Sequence, residues 1–181
     1  MNGSASRPAP HAATSLPSLQ PSDWVRRWSH LVREGASVLD VACGSGRHVR
    51  WFAARGCRVT GVDRDATAIA PLRDIAEIVE ADIEGGPWPL ERRTFDAVIV
   101  TNYLWRPLAA RLVASVADGG TLIWETFARG QETVGKPSNP EFLLRPGELL
   151  QFAAGLRVIG YEDGYASVDG RFVQRIAAVR E

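Results

Sequence analysis

The stretch VLDVACGSGRHVRWF, residues 38–52, decides the fold of this chain. Its first residues form a short apolar run of the kind that is buried on both faces of a parallel sheet. A loop with Gly44 and Gly46 follows, and the helical spacing of Val49 and Phe52 then predicts a helix. A strand, a glycine loop and a helix in this order are typical of sites for a nucleotide or a nucleoside.

Strand and helix patterns alternate along the rest of the chain. The segments RVTGVD, IAEIVEAD, FDAVIV and TLIWETF are predicted as strands two to five. Two final strands are expected near residues 156–161 and 171–179, with Asp169 and Gly170 in the turn between them. We therefore predict an α/β protein with a Rossmann-like, doubly wound, seven-stranded sheet. The sheet should be mostly parallel, with an antiparallel strand from the C-terminal hairpin and helices on both faces.

The connections between these strands differ in their predicted helical content. Pro71 predicts that the helix after the second strand is short or kinked. The segment IEGGPWPLERRT is rich in glycine and proline, so we expect mostly loop there. A helix is expected from Pro107, with Val116 on its apolar face. The long segment ARGQETVGKPSNPEFLLRPGELL leads into a further predicted helix at residues 147–154.

Length and composition indicate one globular domain over residues 21–181 of the 181-residue chain, which is 45% hydrophobic and has no net charge. Residues 1–20, MNGSASRPAPHAATSLPSLQ, have no hydrophobic block and are expected to be a disordered tail, not a signal peptide. No apolar run approaches the roughly 20 residues that span a bilayer. The two cysteines, Cys43 and Cys57, form neither a disulfide framework nor a metal site, so a cytoplasmic location is expected.

Two residues around the glycine loop indicate which ligand it holds. The dinucleotide fingerprint needs a third glycine, and Val49 occupies that position. Asp40 lies four residues before Gly44, where a carboxylate would repel a pyrophosphate and attract a cation. S-adenosylmethionine is a nucleoside with a sulfonium and an ammonium group and no phosphate, and it is the favoured cofactor. An NAD(P)-binding oxidoreductase and a non-catalytic S-adenosylmethionine-binding protein remain as alternatives.

The motif VLDVACGSGRH resembles the first motif of the class I S-adenosylmethionine-dependent methyltransferases. Ala42 stands where the family pattern has its first glycine. Together with the later ETF, the motif is similar to that of small single-domain methyltransferases of the tellurite-resistance-like type. The resemblance extends from about residue 21 to the C-terminus. It implies a methyl transfer by in-line displacement, driven mainly by positioning of the reactants and exclusion of water.

The resemblance also implies roles for individual residues. Asp63 would accept hydrogen bonds from the ribose hydroxyls, as an acidic residue also does in NAD enzymes, and Asp82 would meet the adenine amino group beside Ile83. Cys43 is expected to be a packing residue, whereas His48 could either face the cofactor or pack against the helix. The predicted cofactor-binding set comprises Asp40, Ala42, Cys43, Gly44, Ser45, Gly46, His48, Asp63, Arg64, Asp82, Ile83, Thr101, Asn102 and Tyr103.

The methyl acceptor should lie over the carboxyl ends of strands four and five, beside the segment NYLWRPL and the long segment after TLIWETF. The candidate acceptor residues are Tyr103, Trp105, Arg106, Glu125 and Arg145. Aromatic and arginine side chains together favour a partly apolar pocket for a small anionic or polarizable acceptor. Alternatively, Trp105 and Phe127 belong to the core and the arginines are solvated.

The catalytic chemistry and the partners are less well defined. No Cys–His or Ser–His–Asp constellation stands out, and no metal is predicted. An acceptor that is already anionic or soft requires no dedicated base, and the sequence leaves open whether one exists. The neutral net charge and the lack of an Asn/Asp-Pro-Pro-aromatic signature argue against a nucleic-acid acceptor. A small-molecule acceptor and no membrane partner are therefore expected, while the oligomeric state stays open.

Overall fold

Seven strands build the sheet of the computed structural model, which describes residues 20–181. In chain order they are β1 (Ser37–Val41), β2 (Arg58–Asp63), β3 (Glu77–Glu80), β4 (Phe95–Thr101), β5 (Val116–Phe127), β6 (Arg157–Ala166) and β7 (Arg171–Val179). Apart from Gln20, the predicted N-terminal tail lies outside the described residues.

The strands lie in the order β3-β2-β1-β4-β5-β7-β6. Strands β1 to β5 are parallel to one another, and β7 is antiparallel to both β5 and β6. The prediction of a mostly parallel seven-stranded sheet with an antiparallel hairpin strand is confirmed. Because β1 lies between β2 and β4, the strand order reverses there, and a crevice opens outside the carboxyl ends of β1 and β4.

Five short α-helices accompany the sheet. They are α1 (Asp23–Trp28), α2 (Arg47–Ala53), α3 (Ala66–Ile69), α4 (Ala109–Ala114) and α5 (Glu148–Phe152). As Pro71 predicts, α3 is a single turn and passes into a 3₁₀ turn at Ala70–Leu72. The segment between β3 and β4 contains no helix, as expected, and it buries Trp88 and Leu90 in the core.

The prediction that Val116 continues the helix after Pro107 is wrong. Helix α4 ends at Ala114, and Val116 begins β5 opposite Phe95. The amide of Phe95 donates to the carbonyl of Ser115 at 2.8 Å, and Val116 is 1% exposed. Strand pairing and burial therefore override the helical spacing of Leu108, Leu112 and Val116.

Two apolar cores cover the two faces of the sheet, so the predicted helices on both faces are also confirmed. One core joins Leu39 and Val41 of β1 to the buried residues of α4 and α5. The other joins Val38 to α1, α2 and α3. Because side chains alternate along a strand, Asp40 shares the face of Val38 and lies beneath α2. None of the helices within residues 20–181 is long and apolar enough to cross a membrane.

Candidate functional site

The loop between β1 and α2 has an unusual backbone conformation. Ala42, Gly44 and Gly46 all have positive φ, at 51°, 51° and 77°. A Cβ on Gly46 would lie 2.5 Å from the methyl carbons of Leu72, whereas a Cβ on Gly44 would have no heavy atom within 4 Å. Gly46 is therefore required by packing as well as by its φ angle, and Gly44 leaves the loop open on one side. Ala42 carries a side chain in a conformation that costs about 1–2 kcal/mol.

Asp63, at the end of β2, holds this loop in place. Its Oδ2 accepts a hydrogen bond from the Gly44 amide at 2.8 Å, and its Oδ1 accepts one from the Asp65 amide at 2.9 Å. An ionised carboxylate has about four acceptor positions. Two therefore remain for ligand hydroxyls, in keeping with the predicted ribose contact.

Asp82 lies after β3 in a tight turn. Its Oδ1 accepts from the amides of Glu84 and Gly85 at 3.0 and 3.1 Å. These amides lower the pKa of the exposed Asp82 carboxyl, so it is ionised at neutral pH. A Cβ on Gly85 would lie only 2.8 Å from Asp82 Oδ2. The absence of a side chain at Gly85 therefore leaves room for this oxygen. The next residue, Ile83, is 8% exposed and packs into the core.

Asp63 and Asp82 face a cavity of about 200 Å³, which we call the first cavity. It is lined by Ala42, Asp63, Arg64, Ala81, Asp82, Ile83, Glu84 and Tyr103. Carboxylates that accept from hydroxyl and amino groups, next to apolar Ala81 and Ile83, suit an adenosine. Arg64 is the one cation in the lining, which is a poor match for a pyrophosphate. The residues present therefore fit the nucleoside part of S-adenosylmethionine.

A second cavity of about 370 Å³ adjoins the first. It is lined by Arg64, Glu84, Asn102, Tyr103, Leu104, Thr126, Phe127, Pro137 and Phe142. Arg64, Glu84 and Tyr103 line both cavities and form their common wall. The Tyr103 hydroxyl is buried and has no hydrogen-bond partner among the described residues. Burial, and then the nearby Glu84 carboxylate, raises the pKa of Tyr103, so the hydroxyl keeps its proton.

Asp40 and His48 lie behind the glycine loop, 1% and 2% exposed. His48 Nε2 accepts from the Ser22 amide at 3.2 Å, so the ring proton belongs on Nδ1. Nδ1 is 3.4 Å from Thr101 Oγ1 and 3.9 Å from Asp40 Oδ1. This placement matches the packing alternative for His48. A contact of either side chain with the cofactor stays a prediction.

Burial shifts both of these groups toward their neutral forms. It raises the pKa of Asp40 to about 7, against the opposing effect of Arg47. It lowers the pKa of His48 to about 3, with help from the Arg47 charge. Asp40 Oδ2 has no hydrogen-bond partner among the described residues. Asp40 is thus a buried carboxyl whose ionised form is disfavoured by its surroundings.

Arg47 is a residue near the site that the sequence analysis did not select. It is the first residue of α2, half-buried, and donates to Thr101 Oγ1 at 3.4 Å. Ser45 is half-buried in the loop just before it. The signal for Arg47 is its position directly after Gly46, at the helix end that faces the crevice.

Cys43 is 8% exposed and packs in the core, where burial raises the pKa of its thiol. This matches the expected packing role for Cys43.

The candidate acceptor residue Glu125 is fully buried at the end of β5. Its Oε2 accepts from Arg175 Nε at 2.6 Å, and its Oε1 lies 3.6 Å from Arg171 Nη2. Arg171 also donates to Asn102 Oδ1 at 3.2 Å. Asn102 itself has a φ of 54° and lines the second cavity. Glu125 therefore supports the cavity wall from behind and does not line either cavity.

The candidate acceptor residue Arg106 is engaged by the long segment after β5. Its guanidinium donates to both carboxylate oxygens of Glu148, at 2.7 and 3.0 Å. It also donates to the carbonyls of Glu141 and Leu143. Trp105 packs against the core and Arg145 is exposed. Of the five predicted acceptor residues, Tyr103 is the one that the structure places in a cavity lining.

Glu84, Pro137 and Phe142 line the second cavity but were missed as site residues. Glu84 could have been suggested by its position two residues after Asp82. Nothing in the sequence pattern singles out Phe142 within its long segment.

A larger cavity, about 630 Å³, lies at the opposite, amino-terminal edge of the strands beside Thr60, Glu77 and Arg93. It shares no residue with the first two cavities, and ligands of such sheets bind at the carboxyl edge.

Comparison with known proteins identifies this arrangement. Residues 38–119 match the model of a family described as a methyltransferase domain. This part of the chain is therefore similar to a methyltransferase domain. The matched region begins in β1 and contains the glycine loop, Asp63 and Asp82. The predicted resemblance to S-adenosylmethionine-dependent methyltransferases is confirmed over this region, and the comparisons support the predicted cofactor.

Curated relatives of the domain include ribosomal protein L11 methyltransferases. The protein of Thiobacillus denitrificans is 39% identical over 97 residues, which cover 51% of this chain and 32% of that protein. The protein of Burkholderia mallei is 37% identical over 98 residues, with 50% and 32% coverage. The chain thus spans about a third of the length of these relatives.

Solved structures share the fold of the methyltransferase domain. TehB from Haemophilus influenzae superposes with a TM-score of 0.70 at 18% identity, covering 88% of this chain and 62% of TehB. A TehB-like S-adenosylmethionine-dependent methyltransferase from Corynebacterium glutamicum gives 0.62 at 20% identity, covering 87% of each chain. Within residues 20–181, no group of three or more His, Cys, Asp and Glu side chains is placed to hold a metal ion.

Proposed function

We propose that this protein transfers a methyl group from S-adenosylmethionine to a small-molecule acceptor. The observation that carries the proposal is the pair of adjoining cavities at the carboxyl edge of the sheet, which share the wall of Arg64, Glu84 and Tyr103. One cavity has the chemistry of an adenosine site, and the other opens beside it. Two reactants bound there would meet at the common wall.

Each group around the first cavity has a defined task in this proposal. Asp63 accepts from the ribose hydroxyls while it keeps the Gly44 amide, and Asp82 accepts from the adenine amino group. Gly44 lets the ligand approach the loop backbone, since its open side has no neighbouring atom. Thr101 and Asn102 line the approach to the methionine end. Asp40 supplies negative charge behind the loop for a cationic ligand.

The transfer itself is a displacement at the methyl carbon of a sulfonium. The acceptor's lone pair forms the new bond as the carbon–sulfur bond breaks, and that electron pair stays on sulfur as S-adenosylhomocysteine is formed. A protonated acceptor loses its proton to water, and an anionic acceptor has none to lose. The protein's part is then to align the reactants and exclude water. No base from this chain is needed for an acceptor that is already anionic or soft.

The size of the acceptor is proposed from the second cavity. Its volume of about 370 Å³ is in the range of small-molecule sites. The relatives named after ribosomal protein L11 raise a protein acceptor as the other possibility. They match half of this chain and a third of their own length, so the match covers the methyltransferase domain and supports the donor more than the acceptor.

Calorimetry with S-adenosylmethionine, S-adenosylhomocysteine and NAD tests the donor. We expect the first two to bind and NAD to bind much more weakly, whereas a preference for NAD would favour an oxidoreductase. Asp63→Asn should weaken S-adenosylhomocysteine binding at least about tenfold, because a charge-assisted hydrogen bond contributes about 1.5–3 kcal/mol. The exposed Asp74→Asn serves as the matched control.

Methylation assays with thiols, phenols, amines, chalcogen oxyanions and purified ribosomal protein L11 test the acceptor. Transfer to a small molecule would support the proposal, and transfer to L11 alone would replace it. Binding of the donor without transfer to any of them would favour a non-catalytic S-adenosylmethionine-binding protein.

A further inference from the structure

We propose that the second cavity takes a neutral, apolar, ring-bearing small molecule as the methyl acceptor, with its nucleophilic atom held by the Tyr103 hydroxyl. This inference rests on the proposed methyl transfer and adds the class of acceptor. It departs from the expectation, drawn from arginine and aromatic residues in the sequence, that the acceptor is a small anion or a polarizable group.

Apolar side chains form a large part of the cavity wall. Leu104, Phe127, Pro137 and Phe142 line it, two of them with aromatic rings. Phe142 is 45% exposed and lines the cavity, so its ring is accessible to a ligand there. One side of the Phe127 ring is covered by the Arg171 guanidinium, whose Cζ lies 5.7 Å from the ring centroid. These walls favour a flat, apolar ligand by burial of apolar surface.

The charges around the cavity do not favour an anion. Arg64 and Glu84 are the two charged residues of the lining, and their formal charges cancel. Arg106 is bound by Glu148, and Arg171 faces Glu125 and Asn102. Of the two arginines that suggested an anion site, Arg106 is thus engaged within the protein, and the exposed Arg145 does not line the cavity. A neutral ligand avoids the desolvation cost that an ion would meet beside apolar walls.

Tyr103 provides the polar contact. Its hydroxyl is buried at the wall between the two cavities and makes no hydrogen bond of normal length among the described residues, although the Glu84 carboxylate is close enough to interact with it. A buried hydroxyl without a normal hydrogen bond is costly, so a ligand atom that accepts its hydrogen bond would relieve that cost. The oxygen, sulfur or nitrogen nucleophile of the acceptor is such an atom. Because Tyr103 also lines the donor cavity, this contact would place the nucleophile beside the methyl donor.

The test measures binding of phenol and aniline, both neutral at pH 7, to the protein saturated with S-adenosylhomocysteine, by calorimetry. 2-Mercaptoethanol serves as the polar thiol and selenite as the anion. We expect the two ring compounds to bind at least tenfold more tightly than either comparison compound. Phe142→Ala should weaken the ring compounds about tenfold and leave S-adenosylhomocysteine binding unchanged. Tyr103→Phe should weaken them several-fold.

Val134→Ala is the matched control, since Val134 lies on the same segment, is 48% exposed and does not line the cavity. It should leave ring-compound binding unchanged. Selenite or 2-mercaptoethanol binding as tightly as phenol, or equal effects of Phe142→Ala and Val134→Ala, would overturn the inference. Failure of the methyl-transfer proposal looks different: S-adenosylhomocysteine would not bind, or ring compounds would bind without being methylated when S-adenosylmethionine is supplied.

Discussion

The donor side and the acceptor side of the site lie at the same edge of the sheet but are held in different ways. On the donor side, backbone amides donate to carboxylates that are close in sequence: Gly44 to Asp63 over 19 residues, and Asp65 to Asp63 over two. On the acceptor side, arginine side chains join distant segments. Arg106 reaches Glu148 over 42 residues, and Arg171 reaches Asn102 over 69.

This difference separates the consequences of substitution. A backbone amide remains a hydrogen-bond donor whichever side chain its residue carries. The glycine loop on the methyl-donor side therefore depends on a few carboxylates and on backbone conformation. An arginine clamp depends on both side chains, and loss of either leaves a buried partner unsatisfied. Substitutions on the acceptor side should therefore affect folding strongly, and those on the donor side should act mainly through conformation and ionisation.

The largest effect is expected for Glu125→Ala. This change removes the fully buried carboxylate that pairs with Arg175, whose side chain is 12% exposed. Breaking a buried ion pair from one side costs about 3–5 kcal/mol. Because Arg175 also pairs with Glu162 and Asp169, the free energy of unfolding should fall by about 3 kcal/mol, at the lower end of that range, in denaturant titrations. The exposed Glu91→Ala, which removes the partner of Arg111, should cost less than about 1 kcal/mol. Similar losses in both variants would contradict the proposed role of burial.

A smaller loss is expected for Arg106→Ala. It leaves Glu148, whose side chain is 8% exposed, without its guanidinium partner, and removes donors from the carbonyls of Glu141 and Leu143. We expect a loss of about 2–3 kcal/mol in unfolding free energy and a higher acceptor KM, with S-adenosylhomocysteine affinity unchanged. Arg111→Ala is the exposed control. Parallel losses of donor and acceptor affinity would show that the two sides are not independent.

The pH dependence of stability tests the ionisation of the donor side. Asp40 has a folded pKa of about 7, above its unfolded value of about 3.9, so its contribution falls as pH rises between these values. His48 has a folded pKa of about 3, below its unfolded value of about 6.5, so its contribution rises over that window. In the wild-type protein the two trends oppose each other from about pH 4 to 6.5.

Asp40→Asn removes the contribution of Asp40, which falls as pH rises, and leaves the contribution of His48, which rises with pH. The stability of this variant should rise with pH more steeply than that of the wild type, by up to about 1.4 kcal/mol per pH unit between about pH 4 and 6.5. Denaturant titrations at several pH values measure the two slopes. His48→Gln should change the slope in the opposite direction. Equal slopes in all three proteins would mean that Asp40 and His48 do not titrate as their burial implies.

The smallest effect is expected for Ala42→Gly. The φ of 51° at Ala42 destabilises a residue with a Cβ by about 1–2 kcal/mol, and glycine removes this strain. Glycine also has more conformational freedom in the unfolded chain, which lowers the stability by about 0.5–1 kcal/mol. A net gain of about 0.5 kcal/mol in unfolding free energy should result. The exposed helical Ala110→Gly, which has no such strain, should instead lose about 1 kcal/mol. A loss in both variants would show that the loop is not strained at Ala42.

The donor side is built from contacts that are short in sequence and the acceptor side from contacts that are long, and this difference explains which features could be predicted from the sequence. The loop glycines, Asp63 and the alternation of strands and helices follow from local patterns, so the fold class and the methyl donor could be predicted from the sequence. Val116 was misassigned because its pairing with Phe95 is not visible in helical spacing. Arg106 and Glu125 have the right residue types for a binding site, but their partners lie 42 and 50 residues away. Their roles depend on contacts that no local pattern contains.

The place of β7 between β5 and β6 has a consequence for synthesis. Until residues 171–179 leave the ribosome, β5 has no neighbour on that side, and its residues Leu122, Ile123 and Trp124, fully buried in the finished fold, lie on an unpaired edge. Such an edge is a template for pairing with another nascent chain. The need for chaperones and the fraction lost to inclusion bodies should therefore depend on how quickly β7 is synthesised after β5. Slow codons just before β7 would lengthen the time during which β5 is unpaired.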